Sequence, residues 1–295
     1  MALYKRKRRT MLYIPGNNPA MLQQGGVYGA DSLLLDLEDA VAINQKDAAR
    51  ILVKHILRSV NFYDSEVCIR INHLSTPFGL EDLETVIPLQ PHAIRYPKTE
   101  SANEILELLR IIEEIEDRHN LPHDKVEIHA MIETAMGVQN VFEIAGAHKR
   151  IGAITIGGQD LTADMNIIYT RDGAGIDFAR KRIVMAAKAH HIDVIDTVFV
   201  DVNDEDGLRL ETEYSKKIGF TGKAVINPRQ IDIIHDVYNP TEEEIRKAYR
   251  IVKEFEKNKD AGIGVFAIDG KMIDAPIVTR AQYILELANV KIEIN

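Results

Sequence analysis

Cysteine is nearly missing from this chain: Cys68 is the single one in 295 residues, and tryptophan does not occur at all. One thiol cannot make an intrachain disulfide or a multi-cysteine metal site, so disulfide-stapled scaffolds are excluded and a reducing, cytoplasmic compartment is expected. Long apolar runs are missing as well. No uninterrupted stretch approaches the roughly 18–20 residues of a membrane span, and no apolar segment follows the N-terminal charges, so neither a membrane protein nor a secreted one is expected. Positive charge is in deficit: 36 Lys and Arg stand against 45 Asp and Glu, for a net charge of −9 and a pI near 5.6. That balance argues against nucleic-acid binding driven by phosphate neutralisation. What remains is an ordinary globular composition, 45% hydrophobic and 27% charged, with length enough for a sizeable core.

Several chemical signatures are absent too. There is no GxGxxG or GxxxxGK[ST] phosphate loop, no GxSxG elbow and, despite 10 histidines, no HExxH. The Gly157 and Gly158 pair is too short to cradle a phosphate. The adjacent His190 and His191 fall at a helix end, where capping is the expected role. Cys68 reads as a small core residue rather than a nucleophile.

What is present is an alternation of short β-rich runs with longer helical stretches. The runs cover 11–14, 32–37, 66–71, 93–96, 126–132, 153–156, 193–197 and 223–226. Helical stretches are expected at about 18–26, 45–60, 80–89, 102–119, 137–147, 175–190, 204–217 and 229–238. Eight strands each followed by a helix is the arithmetic of a parallel (β/α)8 TIM barrel. Pro15, Gly16 and Asn17 end the first run, and Asn44 offers an N-cap for the helix beginning near Gln45. Asn239 and Pro240 make the next strong break. Beyond them the sequence predicts a charged helix over 241–257 with Thr241 as N-cap and Glu244 completing a capping box. A polar linker at 257–264, a short run at 265–267 and a last helix near 277–288 follow. The organisation expected is a barrel over 1–240 and a C-terminal helical extension over 241–295, acting as a lid or an inter-subunit arm. The basic run Lys5, Arg6, Lys7, Arg8 and Arg9 reads as a solvated leader, with a docking patch for an acidic partner or phosphates as its functional alternative.

A barrel places reactive side chains at the C-terminal ends of its strands. The second run ends in Asp36, Leu37, Glu38 and Asp39; the third carries Arg70; the fifth is followed by Glu133; the sixth leads through Gly157 and Gly158 to Asp160. Strand alternation puts Val126, Ile128, Ala130 and Ile132 on one face and turns His129, Met131 and Glu133 inward; it likewise turns Cys68 and Arg70 inward. An inward carboxylate at a barrel mouth must be paired, protonated or metal-bound. Glu133 and Asp160 together suit a hard divalent cation such as Mg²⁺, the alternative being an ion-pair network across the mouth. Arg70 can clamp a substrate carboxylate or pair with Asp36, Glu38 and Asp39, and those acids can orient it from behind. Lys98, after the fourth run, suits a salt bridge or an anionic substrate group better than a Schiff base.

Beyond this pattern, Arg9-Thr10-Met11-Leu12-Tyr13-Ile14-Pro15-Gly16-Asn17-Asn18-Pro19, Ala30-Asp31-Ser32 and Asp36-Leu37-Glu38-Asp39-Ala40-Val41 resemble the citrate lyase β subunits of the HpcH/HpaI aldolase/citrate lyase family. Further matches in order are Arg70-Ile71-Asn72, Ile132-Glu133-Thr134-Ala135, Gly157-Gly158-Gln159-Asp160-Leu161, Gly222-Lys223, Ile226-Asn227-Pro228-Arg229-Gln230 and Asp269-Gly270-Lys271-Met272-Ile273-Asp274. The resemblance spans essentially the whole chain. It implies a Mg²⁺-dependent lyase that splits a citryl thioester, carried on the prosthetic group of an acyl carrier protein, into oxaloacetate and acetyl-carrier. It implies Glu133 and Asp160 as metal ligands, with Glu133 also at the substrate, Arg70 on a substrate carboxylate, and Asp274 as a catalytic proton-transfer residue. The partners implied are citrate lyase α and γ subunits, the latter the acyl carrier protein, and further copies of the chain in a trimer or hexamer. Relatives acting on malyl- or citramalyl-CoA are the nearest alternative; a non-catalytic structural subunit is the alternative of another class.

Overall fold

A computed structural model describes residues 6–168, 170, 173–260 and 265–290. Eight parallel strands close on themselves: β1 (Thr10–Pro15), β2 (Ser32–Asp36), β3 (Glu66–Arg70), β4 (Ala93–Tyr96), β5 (Glu127–Ile132), β6 (Ile151–Ile156), β7 (Asp193–Asp196) and β8 (Gly222–Val225), with β8 pairing back onto β1. The expected (β/α)8 barrel is therefore the observed one. Helices α1 (Pro19–Gln24), α2 (Lys46–Ser59), α3 (Gly79–Val86), α4 (Ala102–Arg118), α5 (Ala135–Ala145), α6 (Gly158–Asp164), α7 (Asp177–Ala189), α8 (Glu205–Ile218) and α9 (Gln230–Tyr238) fill the connections. Period-2 alternation decides which side chains enter the barrel. Met11, Leu34, Cys68, Ala93 and Ile195 pack as one fully buried inner layer, with Tyr13 against it. Register then sets Asp36 beside Arg70 and Arg70 beside Arg95 on three consecutive strands.

Three local expectations need correction. α6 was not foreseen: seven residues are too few to show a helical period. Asn44 caps nothing, because residues 43–45 form a 3₁₀ turn and Gln45 holds the N-cap position of α2 without a side-chain bond. The basic run is not uniformly a solvated leader. Lys5 lies outside the described residues and Arg6 and Lys7 are exposed, but Arg8 is buried beneath the barrel and Arg9 is tied to Asp31 at 2.7 Å. Arg8 donates to Glu66 at 2.6 Å, Glu127 at 2.5 Å and Asp193 at 2.8 Å. These acids are the first residues of β3, β5 and β7, a charged layer across the N-terminal end of the barrel.

The chain divides into two compact units, with the barrel ending at His235 and a second unit beginning at Asp236. The second holds α10 (Glu242–Asp260), the antiparallel pair β9 (Phe266–Ile268) and β10 (Lys271–Ile273), and α11 (Ala275–Leu287). Thr241 and Glu244 form the expected reciprocal cap of α10, at 3.2 and 2.8 Å. α10 runs into the stretch expected as a linker, whose residues 261–264 lie outside the described ones. Asp269 and Gly270 turn the hairpin with φ of 50° and 75°, the left-handed pair that a two-residue turn requires. Ala248, Ile251, Val252, Ile273, Val278, Ala281 and Leu285 make this unit's own core.

Candidate active site

The C-terminal ends of the strands surround a cavity of about 350 Å³, lined among others by Tyr13, Asp36, Asp39, Arg70, Met131, Gly157, Gly158, Asp160 and Thr197. Its acidic wall is built by the turn after β2. Asp36 accepts the amide hydrogens of Glu38 at 2.9 Å and Ala40 at 3.1 Å, which curls the chain so that three carboxylates converge. Lys46 clips the same turn from outside, its Nζ donating to the carbonyls of Leu37 at 2.8 Å and Glu38 at 2.6 Å. Gly16 lets β1 approach: a Cβ there would stand 2.6 Å from the Asp36 carbonyl oxygen.

Arg70 lies at the centre of this wall. Nε and Nη2 donate to the two Asp36 oxygens at 2.8 and 2.6 Å, and Nη1 stands 3.0 Å from Glu38 and 3.6 Å from Asp39. Burial works against its charge, but the surrounding acids prevail and keep it firmly protonated. A guanidinium has five N–H groups. The fork to Asp36 and the contact with Glu38 account for three of them. The sequence leaves open whether Arg70 pairs with acids or faces substrate; in the structure it is paired with the acids and lines the cavity.

Glu133 sits just past β5, 1% exposed. Its Oε1 accepts the Lys98 amide hydrogen at 2.7 Å, a bond made possible by the left-handed φ of 46° at Lys98. The Lys98 side chain turns to Glu38 at 2.7 Å, so one residue links the two acids. Oε2 of Glu133 is buried with no hydrogen-bond partner among the described residues. It faces Gly157, where a Cβ would stand 2.4 Å from that oxygen, so the glycine is what admits the carboxylate. Gly158 N donates to Thr197 Oγ1 at 3.1 Å, fixing the turn that carries Asp160 into the first turn of α6. Burial, and then repulsion from Asp160, push the Glu133 carboxyl up to about 8. A buried carboxylate with one oxygen bare and a second acid beside it make a donor set that fits a cation. Oxygen-only ligands suit Mg²⁺ rather than a softer metal.

The structure thus brings Asp36, Glu38, Asp39, Arg70, Glu133 and Asp160 to one mouth. Asp274 belongs to the C-terminal unit, where its side chain accepts the Ile277 amide hydrogen at 3.3 Å and caps α11. Sequence reasoning did not single out Tyr13 as a site residue, although its two-residue spacing from Met11 was a usable signal.

The HpcH/HpaI aldolase/citrate lyase family matches residues 9–228. The chain belongs to that family. It is 43% identical to citrate lyase subunit beta of Leuconostoc mesenteroides subsp. cremoris over 285 residues, covering 97% of this chain and 94% of that one. Mitochondrial citramalyl-CoA lyase of Rattus norvegicus is 33% identical, covering 95% of this chain and 86% of the other. Among solved structures, CitE of Mycobacterium tuberculosis in complex with magnesium, acetoacetate and coenzyme A superposes with a TM-score of 0.78 at 28% identity, covering 95% and 98% of the two chains. Family membership accounts for the closed eight-stranded barrel.

Proposed function

We infer that this protein is the β subunit of a citrate lyase, a Mg²⁺-dependent citryl-acyl-carrier-protein lyase that releases oxaloacetate and leaves acetyl on the carrier. The observation that carries the reading is the bare, buried Oε2 of Glu133 with Asp160 near it and Arg70 lining the same cavity, in a chain 43% identical to a citrate lyase subunit beta. Glu133 and Asp160 are the residues that would hold the ion. When bound, Mg²⁺ supplies Lewis-acid polarisation of the substrate's hydroxyl and carboxylate oxygens.

The rest of the work falls to the chain. Cleavage removes the proton of the tertiary hydroxyl, breaks the adjacent carbon–carbon bond to leave the keto acid, and protonates the α-carbon of the departing thioester enolate. Arg70, which lines the cavity, holds a carboxylate of the keto acid in a fixed plane. Asp36, Glu38 and Asp39 keep that plane from turning, and Lys98 holds Glu38 in place. Asp274 is the proton donor to the enolate carbon in this reading. The γ subunit presents the citryl group, the α subunit completes the complex, and the chain works in the cytoplasm as a homo-oligomer. No helix among the described residues is long and apolar enough to cross a membrane.

Purified protein with Mg²⁺ and citryl-carrier is expected to release oxaloacetate, detected by coupled NADH oxidation, and to lose that activity on chelation and regain it on adding Mg²⁺. Unchanged turnover in chelator would reject the reading. Asp274→Asn tests the donor separately. Asn is as good an N-cap as Asp, so α11 stays intact and the thermal midpoint unchanged, while turnover falls about 10²–10⁴-fold. Full turnover in that variant would remove Asp274 from the reaction.

A further inference from the structure

Arg95, on β4, is wholly buried in the barrel, and it differs from the other buried arginines. Arg8, Arg70, Arg150 and Arg180 each meet a carboxylate directly. Arg95 has no carboxylate within salt-bridge distance among the described residues. Nη1 donates to Tyr13 Oη at 3.1 Å, Nη2 points at the Met11 thioether at 2.6 Å, and Nε has no partner among the described residues. Burying a positive charge with no counter-charge beside it is costly. A chain with an excess of acids nevertheless sets none of the described ones beside this cation.

Tyr13 connects that charge to the cavity it lines. Burial keeps its hydroxyl protonated, against the pull of Arg95 and Arg70. Because Arg95 already donates to the phenol oxygen, the hydroxyl's own hydrogen is left to be given to an acceptor. Arg70 stands over the same ring, 5.3 Å from its centroid. The charge balance at the mouth points the same way. Arg70 and Lys98 are already matched by Asp36, Glu38 and Asp39, so a dicarboxylate entering there gains positive charge from the chain chiefly through Arg95.

We propose that Tyr13 is a substrate-binding residue whose hydroxyl donates to a carboxylate of the bound keto dicarboxylate, and that Arg95 is the positioning residue that orients this hydroxyl and places an unmatched positive charge behind it. The assignment rests on reading the cavity as the keto-acid site.

Calorimetric titration of oxaloacetate into the full-length protein with Mg²⁺, together with steady-state kinetics, tests it. Wild-type protein is measured first; no oxaloacetate binding there would count against the functional reading itself. Given wild-type binding, Tyr13→Phe and Arg95→Met are each expected to weaken oxaloacetate about tenfold or more, the loss typical of a hydrogen bond to a charged group, with KM raised more than kcat is lowered. The double variant should be no more than about threefold worse than either single one, because Arg95 acts through Tyr13. Arg95→Met should melt no lower than wild type, since an unmatched buried charge is replaced by an apolar chain of similar reach; a purely structural arginine would lower the midpoint. Arg95→Lys keeps the charge, covers the case in which Arg95→Met does not fold, and should recover part of the affinity. Affinity within twofold of wild type in Tyr13→Phe and in a folded Arg95 variant, or losses that simply multiply in the double variant, would overturn the proposal.

Discussion

Glu133→Gln is expected to lower the rate of oxaloacetate release by about three orders of magnitude or more while making the metal-free protein less sensitive to pH. The first effect follows from removing one of the two carboxylates of the donor set, which forfeits several kcal/mol of stabilisation of developing charge. The amide keeps the shape and still accepts the Lys98 amide hydrogen, so the barrel has no reason to unfold.

The pH effect follows from linkage. In the metal-free barrel, burial and then Asp160 push the Glu133 carboxyl up to about 8, against 4.5 in an unfolded chain. A carboxyl whose folded value is raised favours the fold fully below pH 4.5, and that contribution is lost as pH rises through 8. The loss is on the order of a few kcal/mol. Urea titrations of chelator-treated protein at pH 5, 6.5 and 8 should show stability falling across this series in wild type, and a markedly shallower fall in Glu133→Gln. Adding Mg²⁺ should stabilise wild type more at pH 8 than at pH 6.5, because a ligand must lose its proton before it binds. Parallel pH profiles for the two proteins would mean that Glu133 is ionised without metal, and the account of its bare oxygen would fail.

The parts of this site legible in the sequence were those governed by strand periodicity. In β5, alternation alone turned His129, Met131 and Glu133 inward, and the same reasoning placed Arg70 above Cys68. What escaped depends on contacts between strands distant in sequence or on backbone geometry. That Lys98 would present its amide to Glu133 depends on a left-handed φ at a non-glycine residue, for which Tyr96-Pro97-Lys98 carries no signal. That Gly157 exists to admit a carboxylate becomes visible only once β5 and β6 lie side by side. Arg95 sat within a run assigned correctly as a strand, but its lack of an acidic partner is a property of the closed barrel. The basic run at the start misled because consecutive charges ordinarily mark a solvated segment, whereas here one of them is taken up by three strands whose first residues are Glu66, Glu127 and Asp193.

That closure sets the second large expectation. Arg8→Met should destabilise the protein by about 3–5 kcal/mol at pH 7, the cost of removing one partner from a buried ionic cluster. Arg8 is the cation shared by Glu66, Glu127 and Asp193, and Ser32 adds a hydrogen bond to Glu66 at 2.7 Å. Burial pushes Glu66 up, but the Arg8 hydrogen bond and the neighbouring positive charge outweigh it and hold the acid at about 2. Its stabilising share is therefore present above the unfolded value of 4.5 and is lost as pH falls through 2. Without Arg8 the sign reverses, because three acids at the barrel's base would have to ionise unpaired. The deficit relative to wild type should accordingly be greatest at neutral pH and shrink toward pH 4. Glu66, Glu127 and His129 also place one potential ligand atom each within 4.8 Å of one another, which outwardly suggests a metal site. In wild type the guanidinium already bonds both acids. In Arg8→Met a divalent cation could take its place, so Mg²⁺ or Mn²⁺ should recover part of the lost stability in the variant through this cluster even when Glu133→Gln removes the site at the mouth. A stability loss below about 1 kcal/mol, equal at pH 4 and pH 7, would show that Arg8 is not what holds the base of the barrel together.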